Sequence, residues 1–241
     1  MKYLLIVAAT LGIGGVSSLA NATVFNVNEW TGTCVACLET DPSQQALPSN
    51  PLANGGSGST PKTNVTGTAN FTYTGSLTLD VSTQPNNTNL NFFNSGGGTI
   101  GGFSGTGVLN TQTNWGNAIV STGSYGSNRG NAQDQTTTIY EFTFTTGATS
   151  DLSITHDDGI SLWLGGSDLC NASGPTTAES SDCGALAAGT YNLWYVEANG
   201  APSVLEVAGI TTPSVPEPAS LALLGSGLVA FGIARRRRKA V

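Results

Sequence analysis

The sequence predicts an all-β fold: a β-sandwich ectodomain with an N-terminal signal peptide and a C-terminal single membrane helix. Three observations predict it. Apolar residues recur at every second position in short runs, as in Leu77-Thr78-Leu79-Asp80-Val81 and Ile139-Tyr140-Glu141-Phe142-Thr143-Phe144, a period that turns one side of a strand toward a core. Clusters of Gly, Asn, Ser and Pro separate the runs at intervals of about eight to twelve residues, the spacing of a sandwich rather than of strands alternating with helices. Between residues 23 and 215 no stretch shows the apolar period of an amphipathic helix, about 3.6 residues.

Taken in order, the chain opens with Lys2, an apolar run over 4–16 and the small-x-small site Ala20-Asn21-Ala22. This is the pattern of a secretory signal peptide, residues 1–22, with signal peptidase leaving Thr23 as the first mature residue. Residues 23–62 give an N-terminal strand and a Pro/Gly-rich loop. Val24-Phe25-Asn26-Val27 and Trp30 are read as one edge strand. The segment from residue 41 onward, with Pro42, Pro48, Pro51, Pro61 and a Gly-Gly-Ser-Gly run, is read as a loop long enough to be disordered or to mark a boundary.

Residues 63–211 form the β-sandwich domain. Phe71 and Tyr73 alternate with Thr72 and Thr74, and Gly75-Ser76 gives a tight turn or bulge before Leu77. Leu90 and Phe92 suggest another strand, 96–107 a glycine-rich strand edge and loop, and 111–135 a loop around Trp115 and Tyr125. The clearest block is 138–210. There Leu152 and Ile154 lead into His156-Asp157-Asp158-Gly159, followed by Ile160-Ser161-Leu162-Trp163-Leu164. Further on, Tyr191, Leu193 and Tyr195 share one face of a strand whose other face carries Asn192, Trp194 and Val196, and residues 204–207 close the block.

Charge narrows the function. Between residues 23 and 215 two basic residues, Lys62 and Arg129, stand against fourteen acids, a net −12, whereas the whole chain carries −7. Such a surface argues against nucleic acid and against anionic membranes as partners, and it favours divalent cations. Asn, Thr, Ser and Gly fill most polar positions, and Asn64, Asn70, Asn86 and Asn171 each open an Asn-x-Ser/Thr acceptor pattern.

An even set of cysteines behind a signal peptide, Cys34, Cys37, Cys170 and Cys183, reads as disulfides. Proximity favours Cys34–Cys37 and Cys170–Cys183 among the three pairings that four cysteines allow. A redox reading of Cys34-Val35-Ala36-Cys37 lacks the strand-to-helix context and the basic neighbours that lower a thiol pKa.

Catalysis finds no support. His156 is the sole histidine, and no nucleophile elbow accompanies it. Asp157 and Asp158 are neighbours, whereas glycoside hydrolysis needs two carboxyls separated across a cleft. The chain is therefore expected not to be an enzyme. Adjacent carboxylates on a turn repel unless solvated or neutralised by a cation. Calcium, which takes about six to eight oxygens, is the cofactor they suit, with Asp168, Glu197 and Asn199 as further ligand candidates. Trp163 and Trp194 are candidate sugar-stacking platforms, or the cover of an outer sheet face.

Residues 212–241 form the tail. Pro216-Glu217-Pro218 precedes an uncharged apolar segment, 219–234, and the run Arg235-Arg236-Arg237-Arg238-Lys239. The apolar segment's sixteen residues give about 24 Å of helix, short for a bilayer core. The basic run should hold the C-terminus in the cytoplasm.

This tail resembles the PEP-CTERM sorting signal of exopolysaccharide-making Gram-negative bacteria. The match is carried by Val215-Pro216-Glu217-Pro218-Ala219-Ser220, the apolar run and the arginines. The resemblance implies an exosortase, a membrane transpeptidase-like enzyme that cleaves near the motif. It also implies export across the inner membrane, transient anchoring there, and delivery to the cell surface or extracellular matrix. A second resemblance rests on Leu152-x-Ile154-x-His156-Asp157-Asp158-Gly159-Ile160-x-Leu162-x-Leu164-x-Gly166, and on Ala188-Gly189-Thr190-Tyr191-x-Leu193-x-Tyr195-x-Glu197 with Gly200 as a following strand pair. These resemble the Asp-Asp-Gly core of protective-antigen-type lectin β-sandwiches. In sugar-binding members the aspartate pair, often joined by a cis peptide, holds a calcium ion that in turn holds sugar hydroxyls, a role that carries over to Asp157 and Asp158. The resulting expectation is a matrix-associated protein of the biofilm or exopolysaccharide, acting as a calcium-dependent carbohydrate-binding module. The alternative is a purely structural, glycosylated matrix protein without ligand binding.

Overall fold

A computed structural model of the chain describes residues 22–56, 62–81, 92–109, 133–198 and 203–211. The described residues form eleven strands: β1 (Val24–Cys37), β2 (Lys62–Thr74), β3 (Thr78–Asp80), β4 (Thr99–Gly107), β5 (Gln133–Thr146), β6 (Thr149–Asp157), β7 (Ile160–Leu164), β8 (Ser167–Ala172), β9 (Glu179–Leu186), β10 (Gly189–Glu197) and β11 (Val204–Ala208). They make two antiparallel sheets. The larger has the order β4-β2-β1-β5-β10-β7-β8 and the smaller β3-β11-β6-β9. The fold is the expected β-sandwich.

The alternation read from the sequence fills the interior. Phe25 and Val27 from β1, Phe71 and Tyr73 from β2, and Tyr140, Phe142 and Phe144 from β5 all face inward. So do Tyr191, Leu193 and Tyr195 from β10, against Leu152, Ile154 and Leu205 of the smaller sheet. Some rings pack edge to face, as Phe25 does on Phe142 with centroids 6.3 Å apart at 89°, and others are tilted or stacked, as Phe144 is on Tyr191 at 6.0 Å and 26°.

Several expectations change. β1 is no edge strand: it lies between β2 and β5, pairing along both. The turn expected at Gly75-Ser76 carries the chain between layers, because β2 belongs to the larger sheet and β3 to the smaller. Phe92 lies in a one-turn helix, α1 (Phe92–Ser95), not a strand. Adjacent residues of a strand point to opposite faces, whereas on a helical turn both Phe92 and Phe93 can enter the core, where they are 0% and 1% exposed. Phe92 stacks on Tyr195, and Phe93 meets Phe71 edge-on at 5.0 Å. Residues 189–197 make a single strand rather than a strand pair. The glycine-rich 99–107 is the expected sheet edge. The expected loop over 111–135 lies outside the described residues up to residue 132; from Gln133 the chain is already β5.

The Pro-rich segment is folded as far as Gly56. Ala46 and Leu52 close over Ile139, Trp194, Val196 and Ala198 on the outer face of the larger sheet, forming a second apolar cluster. Buried Asn50 supplies the order that regular structure would otherwise give, donating to the carbonyls of Ser43 (3.0 Å) and Gln45 (2.8 Å). Gln44 Nε2 donates to Thr137 Oγ1 of β5 at 2.8 Å. Gly32 makes room for this cover: a Cβ there would stand 2.6 Å from the Leu52 side chain. β10 is consequently covered on both faces.

Cys34 is bonded to Cys37 and Cys170 to Cys183, the pairing that proximity favoured. The second bond joins β8, the last strand of the larger sheet, to β9, the last strand of the smaller.

Candidate functional site

The Asp157-Asp158-Gly159 turn links β6 of one sheet to β7 of the other. Its place follows from register. Val204 pairs with Asp157, Tyr195 with Ile160, and the Val196 N–H donates to the Gly159 carbonyl at 3.0 Å. The turn thus caps one pole of the sandwich, where β10 ends at Glu197. A side chain at residue 159 would strike the Ser173 carbonyl, so glycine is required there.

The Asp157–Asp158 peptide bond is cis. The two carboxylates have different surroundings. Asp158 is fully buried. Its Oδ1 accepts the Thr176 N–H at 3.1 Å and its Oδ2 the Ala198 N–H at 2.8 Å, so one side chain fastens the segment before β9 and the end of β10 to the turn. Asp157, 4% exposed, accepts the Tyr195 hydroxyl on its backbone carbonyl.

His156 is spent on the same turn. Its Nδ1 lies 2.5 Å from the Asp158 carbonyl. Since a carbonyl only accepts, Nδ1 carries the proton and Nε2 receives the Ser181 hydroxyl at 2.9 Å. Burial lowers the pKa of His156, against the opposing pull of the Asp158 carbonyl and Glu179. With both nitrogens engaged, the ring orients the turn.

The other sequence candidates fare unevenly. Asp168 is exposed on β8, where it accepts from Asn171 Nδ2 at 2.6 Å and pairs with Trp163, away from the turn. Glu197 points into the interior and accepts the Ser203 hydroxyl at 2.7 Å. Asn199 lies outside the described residues. Among the described residues no group of three His, Cys, Asp or Glu is placed to hold a metal ion. Trp194 is 6% exposed and stacks on Trp30 at 5.9 Å and 12°, so it is cover and not a sugar platform. Trp163 is half-buried, its indole N–H donating to Ser161 Oγ at 2.7 Å.

One buried acid escaped the sequence reading. Glu29 follows Phe25 and Val27 at the same two-residue period, and that period alone places it inside. It is 0% exposed and paired across the sheet with Tyr140. Burial raises its pKa well above the usual carboxylate value, and the Tyr140 hydroxyl offsets part of this. Tyr140 and Tyr195 are raised in turn, first by burial and then by Glu29 and Glu197 for Tyr140, and by Glu197 and the aspartates for Tyr195. Both therefore remain hydroxyls.

The sign of the Glu29 effect is fixed. Below about pH 4.3, the unfolded value, Glu29 is protonated in both states. Above it the unfolded chain releases the proton while the folded chain retains it, so stability falls as pH rises through the window up to the raised folded value. Glu29→Gln should flatten that fall. Melting temperatures of the two proteins, compared between about pH 4 and pH 8, should diverge as pH rises in favour of the variant. Parallel curves would show that folding leaves the pKa of Glu29 where it is in the unfolded chain.

The fold and site define a β-sandwich with an acidic pole. Residues 214–239 match the PEP-CTERM protein-sorting motif, which takes in Pro216, Glu217 and Pro218. The chain is accordingly an exported protein with a membrane-anchoring C-terminal sorting signal, the kind of signal that an exosortase processes. The apolar segment 219–234 and residues 1–21 lie outside the described residues, among which no helix is long and apolar enough to cross a membrane. Two solved structures are similar. One is a PA14 sugar-binding domain from an RTX adhesin, with TM-score 0.40, 12% identity, and 78% of this chain and 89% of that one covered. The other is the PA14 domain of the MpAFP antifreeze protein, with TM-score 0.38, 11% identity, and 80% and 95% covered. A search of the curated proteins gave no match.

Proposed function

We propose that this chain is an exported surface protein whose Asp157–Asp158 pole binds carbohydrate, with calcium held between the aspartates and the sugar hydroxyls. The observation that carries this reading is the pair of adjacent buried carboxylates on a turn fixed by the Asp158 bonds to Thr176 and Ala198. The donor chemistry fits a hard cation. A carboxylate has about four lone-pair sites, more than the Thr176 and Ala198 N–H groups occupy. The described residues supply two carboxylates, and calcium takes about six to eight oxygens. The remaining donors would be water and sugar hydroxyls. A bound calcium ion would neutralise the like charges and give diol oxygens a cation to touch. Delivery to an extracellular matrix and interaction with its exopolysaccharide belong to this proposal.

A second reading rests on the same two bonds. They account for the burial of Asp158 without an ion, which makes the turn structural and the protein a scaffold of the matrix. Calcium titration separates the readings. Extracellular calcium sites bind at about 10⁻⁴–10⁻³ M, and a hundredfold excess over Kd stabilises by about 2.7 kcal/mol. The wild-type melting temperature should rise with calcium up to about 10 mM, and Asp157→Asn should abolish the rise. Glycan-array binding should vanish with chelator. A melting temperature unmoved by calcium leaves the scaffold reading.

A further inference from the structure

We infer that the pole opposite the aspartates is the membrane-facing surface of the chain while its sorting tail is attached, and that the Asp157–Asp158 pole points away from the bilayer. Three observations meet here, and the inference rests on the sorting tail, not on ligand binding.

The first is where the chain enters and leaves the sandwich. The Gly75 N–H donates to the Thr23 carbonyl at 3.1 Å, beside the pairing of Val24 with Thr74. The Gly147 N–H donates to the Thr211 carbonyl at 2.8 Å, and the Thr211 N–H to Thr146 Oγ1 at 3.1 Å. Thr146 pairs with Gly189, the first residue of β10, whereas the aspartates sit beyond its last residue, Glu197. Both exits are therefore at one pole, and the nine residues of β10, at about 3.3 Å each, separate it from the aspartates. An open cleft of about 650 Å3, lined in part by Thr23, Phe25, Val207, Ile210 and Thr211, adjoins both exits.

The second is the tether. Seven residues lie between Thr211 and Ala219, where the apolar segment begins. Fully extended, the chain from Thr211 to Ala219 reaches at most about 29 Å, about the length of β10 alone. Turning the aspartate pole onto the bilayer would take up all of that reach.

The third is charge. Glu39, Asp41, Asp80 and Glu179, all at least partly exposed, surround the aspartate pole. The exit half carries exposed acids too: Asp151, Asp168 at the level of Trp163, and Asp182 at the level of Ser153 and Ala208. A bilayer containing anionic lipid repels the first pole, which also holds Asp157 and Asp158, more than the second. Tether and repulsion favour one orientation. It places signal-peptide cleavage and tail cleavage on the same side of the domain and leaves the candidate ligand pole facing outward.

The test uses the full-length chain in liposomes containing anionic phospholipid and spin-labelled headgroups. Ala148→Cys marks the exit pole and Ala178→Cys the aspartate pole; both positions are exposed. The four native cysteines are paired, so the added thiol alone takes a fluorophore. Quenching by the headgroups should be several-fold stronger at residue 148 than at 178. Equal quenching, or the reverse order, overturns the orientation. Failure of the unlabelled full-length chain to float with the liposomes overturns the reading of the tail as an anchor, and the orientation with it.

Discussion

Asp158→Ala is expected to destabilise the folded chain by about 2–5 kcal/mol, the largest loss from any single substitution in the candidate site. The carboxylate accepts two backbone N–H groups from segments distant in sequence, those of Thr176 and Ala198. Each donor left without an acceptor in a buried place costs about 1–3 kcal/mol. Asp158→Asn keeps one oxygen and turns an amide NH2 toward the other donor, so it should recover part of the loss. Asp157→Asn touches neither bond and should cost less than either. Urea unfolding of the three variants gives the ranking. A midpoint for Asp158→Ala equal to that of the wild type would mean that the turn is held by something other than this side chain.

The second large effect belongs to the Cys170–Cys183 bond. Replacing both cysteines with serine should cost about 2–4 kcal/mol, in line with closure of a short loop in the unfolded chain; the sequence separation is 13. The bond also fastens the last strands of the two sheets to each other, and these strands form the open side of the sandwich. The Cys34–Cys37 bond has a separation of 3 and lies within the far end of β1, so its removal should cost less. Melting temperatures of the two double variants would decide between them. Equal losses would show that loop length and position do not govern the contribution.

Which features could be read from the chain depends on whether neighbours in sequence or neighbours in space determine them. The inward faces of β2, β5 and β10 follow from alternation, a local property, and Phe71, Phe142 and Tyr195 lie where that period puts them. The place of β1 does not follow from it. Its outer face is polar at Asn26 and Asn28, as at a sheet edge, but those residues face outward from a central strand, with Asn28 donating to Glu141 of β5. The fold of 42–56 was hidden for a related reason: its order comes from Asn50 bonding to carbonyls and from Leu52 settling over Gly32, both matters of tertiary fit. At the site, the sequence presents Asp157 and Asp158 as equivalent neighbours. Their division of labour arises from Thr176 and Ala198, 18 and 40 residues further along, and no local pattern announces such partners.

The central position of β1 bears on how the chain reaches its native state. The strand that leads the domain gains its first neighbour once residue 74 is available, but its second is β5, and Asn28 and Glu141 are 113 residues apart in sequence. A chain delivered N-terminus first therefore holds an unpaired strand edge open for most of its passage. Long-range antiparallel pairing of this kind belongs to folding times of about milliseconds to seconds. During that interval the free edge of β1 is a template on which a second unfinished copy can align. The copies most exposed to this hazard are those delivered fastest and closest together, so yield of the native sandwich should fall with the rate of export before it falls with thermodynamic stability.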